Sequence, residues 1–179
     1  EVLALQADNG TVLWRASAGG ALSAGVGSDG RFTSVVTRGN EVVTFDGGRE
    51  LWRKRLPSSV VTPPLVAGER VFVMGVDRAV HAFDALDGRR LWLLQRPGDA
   101  LTLAQSGVIV AYRNTLLVGP GARLAGVDSV RGDAVWEGPM APPRGTTGGA
   151  RTADLVGPAA ATAHQGGARR RKSARRGQT

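Results

Sequence analysis

Four tryptophans recur along this chain at intervals of 38, 40 and 44 residues, and a glycine stands four positions before each of them. The tryptophans are Trp14, Trp52, Trp92 and Trp136, and the glycines are Gly10, Gly48, Gly88 and Gly132. A period near 40 residues is typical of arrays in which one small unit cannot bury its own apolar surface and stacks on its neighbours. The spacing therefore predicts a repeat protein and favours a binding function.

Each repeat unit reads as four short strands joined by tight turns. In the third unit the strands are predicted at 64–66, 70–75, 79–84 and 89–94, with Asp87-Gly88 as the strongest hairpin signal. The other predicted strands are 2–6 and 11–16 in the first unit, 25–27, 32–37, 41–45 and 51–56 in the second, and 101–103, 108–113 with 115–118, 123–127 and 134–137 in the fourth. Residues 1–140 show no helical periodicity.

Several of these strands are apolar at successive positions, as in 71–74 and 108–110. Such strands belong to a sheet that is covered on both faces. Small four-stranded sheets covered on both faces are the blades of a β-propeller. A β-sandwich is the alternative, but it gives no reason for tryptophan to recur in every fourth strand. The predicted fold is all-β, a partial propeller with a half blade at 1–18 and blades at 19–57, 58–97 and 98–140.

The repeated tryptophans and glycines have a structural interpretation. Each indole is predicted to lie across the gap to the adjacent blade, with its N–H donated to a nearby carbonyl. The alternative, a ligand pocket lined by the indoles, is disfavoured because equivalent blade positions are spread around a ring and do not converge. The four glycines are predicted to be turn residues with positive φ.

Basic residues are concentrated at the end of the chain. Eight of the 23 Lys+Arg residues lie after Ala141, together with a single acidic residue, Asp154. Low hydrophobicity with high net charge predicts a disordered basic tail over 141–179. Three interpretations remain open: a frame change after Pro158, a solvated end, or an arm that binds nucleic acid or other anions. No aromatic residue is present there for base stacking, which argues against a single-strand binder.

Catalytic, cofactor-binding and metal-binding patterns are not found in the sequence. The G-x-G-x-x-G match at 25–30 precedes a hairpin strand where a dinucleotide site needs a helix. Asp84, Asp87 and Asp128 are predicted to be turn residues, since their spacing lacks the ligand series of a calcium loop. His81 and His164 are too few for a metal cluster, and the chain has no cysteine for disulfides or thiolate sites. No apolar run is long enough for a membrane helix.

The segment "VHAFDALDGRRLW" (Val80 to Trp92) resembles the repeat of pyrroloquinoline-quinone-type eight-bladed propellers. Residues 1–140 resemble the BamB family of outer-membrane assembly lipoproteins within that superfamily. The likeness rests on "ALQADNGTVLWR" (from Ala4), "SDGRF" (from Ser28), "TPPLVAGERVFV" (from Thr62) and "DALDGRRLW" (from Asp84), with "PRGT" (from Pro143) and "DLVGP" (from Asp154) beyond them. It implies that the chain supplies about three and a half of eight blades.

This resemblance also implies a function and a location. BamB-like proteins are periplasmic scaffolds, tethered to the outer membrane through a lipidated cysteine that would lie upstream of this sequence. They dock on BamA and aid the insertion of outer-membrane proteins, so unfolded outer-membrane proteins are further expected partners. No enzymatic activity, cofactor or small-molecule substrate is expected. The alternative is a quinone-dependent dehydrogenase propeller, whose adjacent cysteine pair and acidic calcium site have no counterpart here.

The expected partner-binding residues follow from the same resemblance. The family's docking face is built from inter-blade loops, and one of them carries a Leu-Ser-Leu-Arg pattern. Leu101 and Leu103 match its two leucines, whereas Ala104 stands in the place of the arginine. Asp154 matches an acidic residue of a second loop. The sequence therefore predicts an apolar contact to BamA at the two leucines without the family's charged one.

Overall fold

A computed structural model describes residues 1–95, 107–119 and 123–139 of the chain. All regular elements in these ranges are β-strands, and among them no helix is long and apolar enough to cross a membrane. The strands are β1 (Val2–Leu5), β2 (Val12–Ala16), β3 (Gly27–Ser28), β4 (Phe32–Val36), β5 (Glu41–Asp46), β6 (Arg49–Arg55), β7 (Leu65–Ala67), β8 (Arg70–Met74), β9 (Val80–Asp84), β10 (Arg90–Leu94), β11 (Val108–Tyr112), β12 (Thr115–Gly119), β13 (Arg123–Asp128) and β14 (Ala134–Pro139). The predicted tail over 141–179 lies outside the described residues.

The strands form four antiparallel sheets in strict chain order. Sheet 1 contains β1 and β2, sheet 2 contains β3 to β6, sheet 3 contains β7 to β10, and sheet 4 contains β11 to β14. Within each sheet every strand pairs with the next strand of the sequence, so each sheet is a simple meander. This arrangement confirms the predicted fold class of about three and a half propeller blades.

Apolar side chains fill the spaces between successive sheets. One cluster around Phe45 joins sheets 1 and 2, a second around Val71 joins sheets 2 and 3, and a third around Phe72 joins sheets 3 and 4. Strand β4 is buried at all five of its positions, because both faces of its sheet are covered. Burial of each large side chain in these clusters contributes about 1.5–3 kcal/mol, so stability depends mainly on contacts between the sheets.

The first strand of sheet 4 differs from the prediction. Residues 101–103 were expected to form it, but that position is occupied by Val108–Tyr112. The segments 108–113 and 115–118 were predicted together as one strand, but they form two strands, β11 and β12. A two-residue turn joins them, in which Arg113 has a φ of +54° and Tyr112 pairs with Thr115. Residues 101–106 lie outside the described residues, in the connection between β10 and β11.

The first strand of sheet 2 is also displaced from its predicted place. It covers Gly27–Ser28 where 25–27 was expected. A side chain at Gly27 would collide with the backbone carbonyl of Pro64, at the entry to sheet 3. The close approach of these two backbone segments therefore requires glycine at position 27.

Candidate functional site

Three of the repeated tryptophans, Trp14, Trp52 and Trp92, lie between sheets, each on the glycine turn of the following sheet. Trp136 was predicted to lie in the same way, but it is 44% exposed and its indole packs on Gly126 of its own sheet. Trp52 of sheet 2 is 8% exposed, and its indole Nε1–H donates to the carbonyl oxygen of Ala85 at 2.9 Å. A Cβ added to Gly88 would stand 2.5 Å from the indole of Trp52. The indole therefore occupies the space that a side chain at Gly88 would need. This arrangement is called the tryptophan–glycine contact below.

The same contact recurs between the other sheets. Trp92 donates from Nε1 to the carbonyl oxygen of Ser129 at 3.1 Å, and a Cβ on Gly132 would stand 2.6 Å from its ring. Trp14 packs over Gly48, at 3.1 Å from a Cβ built there. Among the described residues its N–H has no carbonyl partner, so the predicted hydrogen bond is confirmed at Trp52 and Trp92 and not at Trp14. Aromatic neighbours add to each contact, as in Trp52 and Phe83 with ring centroids 5.7 Å apart.

The four repeated glycines all adopt positive φ. The φ angles are +72° at Gly10, +86° at Gly48, +71° at Gly88 and +82° at Gly132. At Gly48, Gly88 and Gly132 two requirements for glycine coincide, because the backbone is left-handed and the indole of the preceding sheet lies where a Cβ would be. The fixed spacing of glycine and tryptophan in the sequence thus reflects one contact that joins consecutive sheets.

The aspartates singled out in the sequence stabilise turns. Asp84 Oδ1 accepts the backbone N–H of Leu86 at 2.9 Å, and Asp128 Oδ1 accepts those of Val130 and Arg131 at 2.8 Å each. These backbone hydrogen bonds lower the pKa of Asp128, because they favour its charged form. In the part of the chain that the structure describes, no three His, Cys, Asp or Glu side chains are grouped as a metal site would require.

The segment 25–30 contains the short strand β3 and the start of the turn that leads to β4. Asp29 accepts the backbone N–H groups of Arg31 and Phe32 through Oδ1, at 3.0 and 2.8 Å. Strand β4 then begins at Phe32. The segment therefore has the hairpin geometry that the sequence predicted, and the helix of a dinucleotide site does not follow it.

His81 is a buried residue in the middle of β9. It is 3% exposed, and its ring stacks on Phe83 with centroids 6.0 Å apart and planes 5° from parallel. Its Nε2 is buried without a hydrogen-bond partner. Burial lowers the pKa of His81 below its ordinary value, Asp77 acts in the opposite direction, and Arg90 lowers it further. The imidazole is therefore neutral in the folded chain at neutral pH.

This burial predicts a pH-dependent stability. Because the unfolded state binds the proton more readily, the contribution of His81 is full above about pH 6.5 and is lost as the pH falls below that value. The loss is at most about 1.4 kcal/mol per pH unit. Urea unfolding at pH 7.5 and pH 5.5 measures it, and His81→Gln should show a smaller difference between the two pH values. An equal difference in both proteins would contradict the assignment.

The connections between sheets all leave from one end of the sheets, because every sheet is a meander with an even number of strands. They are the segments 17–26, 56–64 and 95–107, and the end of the sheets that bears them is called the connection face. Backbone bonds fix the first two in place. Arg38 N–H donates to the carbonyl oxygen of Ala21 at 2.8 Å, and Val76 N–H to that of Ser59 at 2.9 Å.

One arginine on this face was not singled out from the sequence. Arg53 donates to the carbonyl oxygen of Ala18 at 3.0 Å and forms ion pairs with Glu41 at 3.1 Å and Glu50 at 2.9 Å. The hydrogen bond to Glu50 is the main cause that raises the pKa of Arg53. Arg53 therefore links the first connection to strands β5 and β6 of sheet 2. These ion pairs could have been predicted only from the strand pairing, which places Glu41 and Arg53 on neighbouring strands.

The residues expected to contact a partner are not in the described ranges. Leu101 and Leu103 belong to the third connection, of which the structure describes only the ends, Gln95 and Gly107. Gln95 Nε2 donates to the carbonyl oxygen of Asp77 at 3.3 Å, and Gly107 N–H donates to Thr62 Oγ1 at 3.0 Å. Asp154 also lies outside the described residues. The connection that carries both leucines is therefore anchored at each end on the connection face.

Comparison with protein families places the chain among outer-membrane assembly factors. The family model described as "Outer membrane protein assembly factor BamB" matches residues 1–173. The chain is 41% identical to the protein of that name from Bordetella pertussis over 151 residues, 83% of this chain and 39% of the relative. It is 34% identical to the one from Burkholderia pseudomallei over 156 residues, 86% of this chain and 41% of the relative. The chain thus spans about two fifths of these relatives.

Solved structures show the same fold. The chain resembles BamB from Moraxella catarrhalis with a TM-score of 0.64 and 23% identity, over 73% of this chain and 40% of that one. It also resembles a europium-containing methanol dehydrogenase with a TM-score of 0.53 and 15% identity, over 66% of this chain and 32% of that one. At such low identity these likenesses show the propeller fold alone, so the second gives no support to dehydrogenase activity.

Proposed function

The chain belongs to the BamB family of outer membrane protein assembly factors, and from this premise we propose that it acts in a non-enzymatic interaction scaffold of the outer-membrane β-barrel assembly machinery. In this role it docks on BamA at the periplasmic face of the outer membrane and aids the insertion of outer-membrane proteins, which it meets unfolded. A lipidated cysteine upstream of this sequence would hold the protein at the membrane.

The observation that carries the proposal is that hydrogen bonds anchor the segments of the connection face. Loops are common sites of recognition when a rigid scaffold holds them. Here the first two connections are bonded to neighbouring turns, through Ala21 and Ser59, and the third is anchored at Gln95 and Gly107. Both ends of the third connection are therefore held in place before a partner binds. This lowers the conformational entropy that its partner-contacting residues lose on binding.

The two leucines of the third connection are the proposed centre of the contact with BamA. Leu101 and Leu103 keep the apolar pair of the family pattern, whereas Ala104 removes the charge that would flank it. Binding at this loop then depends on burial of the leucines, and Asp154 supplies an acidic contact from a second loop. Loss of a central apolar anchor costs about 2 kcal/mol or more in an interface.

We therefore expect the double substitution Leu101→Asp with Leu103→Asp to weaken binding to purified BamA by about tenfold or more, because a charge would replace each apolar anchor. Biolayer interferometry on the folded chain measures this. The matched control is Leu86→Asp, which places the same charge on an exposed leucine in the turn between β9 and β10, at the opposite end of the sheets. Unchanged affinity in the double variant would contradict the proposed docking loop.

A further inference from the structure

Positive charge predominates at the end of sheet 2 that lies on the connection face. Four cationic and two acidic side chains are found there, in the β4–β5 turn, at the start of β5 and along β6. They are Arg38, Glu41, Glu50, Arg53, Lys54 and Arg55. At the opposite end of the sheet the charges are balanced, with Arg31 and Arg49 against Asp29 and Asp46. Sheet 2 is therefore polarised, and its positive end lies on the connection face.

Both acidic side chains at this end are already bonded to one arginine. Arg53 forms ion pairs with Glu41 at 3.1 Å and with Glu50 at 2.9 Å. The strand register places Glu41 opposite Arg55, but the carboxylate of Glu41 bonds Arg53 instead. Among the described residues, the other three cations of this end form no ion pair.

These three cations, Arg38, Lys54 and Arg55, are called the basic patch below. Arg38 lies in the β4–β5 turn, and the other two residues end β6. The end of β6 is held beside this turn, because Leu56 N–H donates to the carbonyl oxygen of Asn40 at 2.8 Å. All three side chains are exposed. The basic patch therefore sits on a hydrogen-bonded backbone and carries charges that no described side chain neutralises.

The segments beside the basic patch carry no charge. The first and second connections, 17–26 and 56–64, contain only small, hydroxyl, proline and aliphatic residues. A neutral centre with charges at its edge is typical of protein–protein contact surfaces. Clusters that bind anionic lipids usually hold about four to eight Lys or Arg residues, more than the basic patch has. The patch therefore suits an acidic protein surface better than a membrane.

The end of this chain does not supply an acidic segment for the patch. After Ala141 the sequence holds eight Lys and Arg residues and a single acidic residue, Asp154. Such a segment is repelled by a basic surface. The acidic partner is therefore a different molecule from residues 141–179.

We propose that the basic patch contacts an acidic surface of BamA and speeds the association of the two proteins. This inference rests on the proposed function, in which the connection face docks on BamA around Leu101 and Leu103. The patch then lies at the edge of the contact. Charges at the edge of an interface mainly change the association rate and its salt dependence, because they act before the surfaces meet.

Neutralising the basic patch in the full chain tests this inference. The variant carries Arg38→Gln, Lys54→Gln and Arg55→Gln together, and biolayer interferometry with purified BamA measures its association and dissociation rates. At about 50 mM salt we expect association to slow by about tenfold, with dissociation changed by less than about twofold. At about 1 M salt the Debye length is about 3 Å, so the association rates should differ by less than about twofold.

A matched control neutralises three exposed arginines at the opposite end of the sheets. It carries Arg49→Gln, Arg89→Gln and Arg131→Gln, which change the net charge by the same amount. Its association rate should stay within about twofold of that of the unsubstituted chain. A second variant, Arg38→Lys with Arg55→Lys, keeps the charge and should associate at the original rate. Should the triple patch variant not fold, each of its single substitutions should slow association by about twofold.

The outcomes distinguish this inference from the proposed function. If the unsubstituted chain does not bind BamA, both are wrong. If it binds, but neither salt nor the patch variant changes the association rate, the proposed function is retained and the role of the patch is overturned. The role is also overturned if the control slows association equally. A patch variant that binds BamA normally but no longer binds phosphatidylglycerol vesicles would assign the patch to a membrane and overturn the inference.

Discussion

Replacing Trp52 by alanine is expected to lower the free energy of unfolding by about 3–5 kcal/mol, the range for a large aromatic residue removed from a core. Trp52 is almost fully buried, donates to the carbonyl of Ala85 and packs on the ring of Phe83. Its loss opens a cavity between sheets 2 and 3 and leaves that carbonyl without its indole donor. A domain of this size has only about 5–15 kcal/mol of stability in total, so much of it would be lost.

Urea unfolding followed by circular dichroism measures this loss. Trp52→Phe keeps part of the aromatic packing but removes the indole N–H, so its cost should fall between those of the alanine variant and the unsubstituted chain. Leu86→Ala is the surface control, because this leucine is exposed, and its effect should stay within about 0.5 kcal/mol. A cost below about 1 kcal/mol for Trp52→Ala would show that the indole is not part of the core.

Gly88→Ala is expected to destabilise the chain by about 2–4 kcal/mol, through two effects that add. The positive φ of +71° strains any residue with a Cβ. The new methyl group would also stand 2.5 Å from the indole of Trp52, which fills the space above this turn. The indole would have to move out of its place between the two sheets, and its bond to Ala85 would be weakened.

A glycine with the same backbone strain but no indole separates these two effects. Gly47 has a φ of +57° and no heavy atom within 4 Å of its Cβ position. Gly47→Ala should therefore cost only the backbone strain, about 1–2 kcal/mol. Equal losses for Gly47→Ala and Gly88→Ala in urea unfolding would mean that the contact with Trp52 contributes nothing measurable.

The repeat could be predicted from the sequence because one physical requirement fixes two residue types at one spacing. Wherever an indole packs on the next turn, that turn needs a glycine, and the strand that follows carries the next tryptophan. Residues such as Gly88 and Trp92 are therefore linked by the geometry of a hairpin, which is local. The strands of sheet 3 were located within one or two residues for the same reason.

Two features could not be predicted: a turn that lacks the usual glycine signal and a close contact between distant segments. The inner strand of sheet 4 was placed at 101–103 because the apolar stretch from 108 to 118 carries no glycine or Asp-Gly signal at its turn, which uses Arg113 in the left-handed region. The need for glycine at Gly27 arises from Pro64, 37 positions further along the chain. Local sequence patterns contain no information about a contact between segments that lie so far apart in the chain.

The proposed docking site was predicted only in part. Family likeness identified Leu101, Leu103 and Asp154, but these residues lie outside the described ranges, and their role remains a proposal. The structure adds the anchored ends of the third connection and the ion pairs of Arg53 on the same face. Neither could be read from the sequence, because both depend on how strands align in the sheets.

The central claim is that successive sheets are held together by tryptophans packed on glycine turns, and a double-mutant cycle between Trp52 and Gly88 tests it most directly. Once the indole is removed, the methyl group of Gly88→Ala meets no obstacle, so the two losses should not add. The account predicts that the double variant is more stable than additivity allows by at least about 1 kcal/mol, measured by urea unfolding. Strictly additive losses would show that the two residues do not meet and would contradict the account.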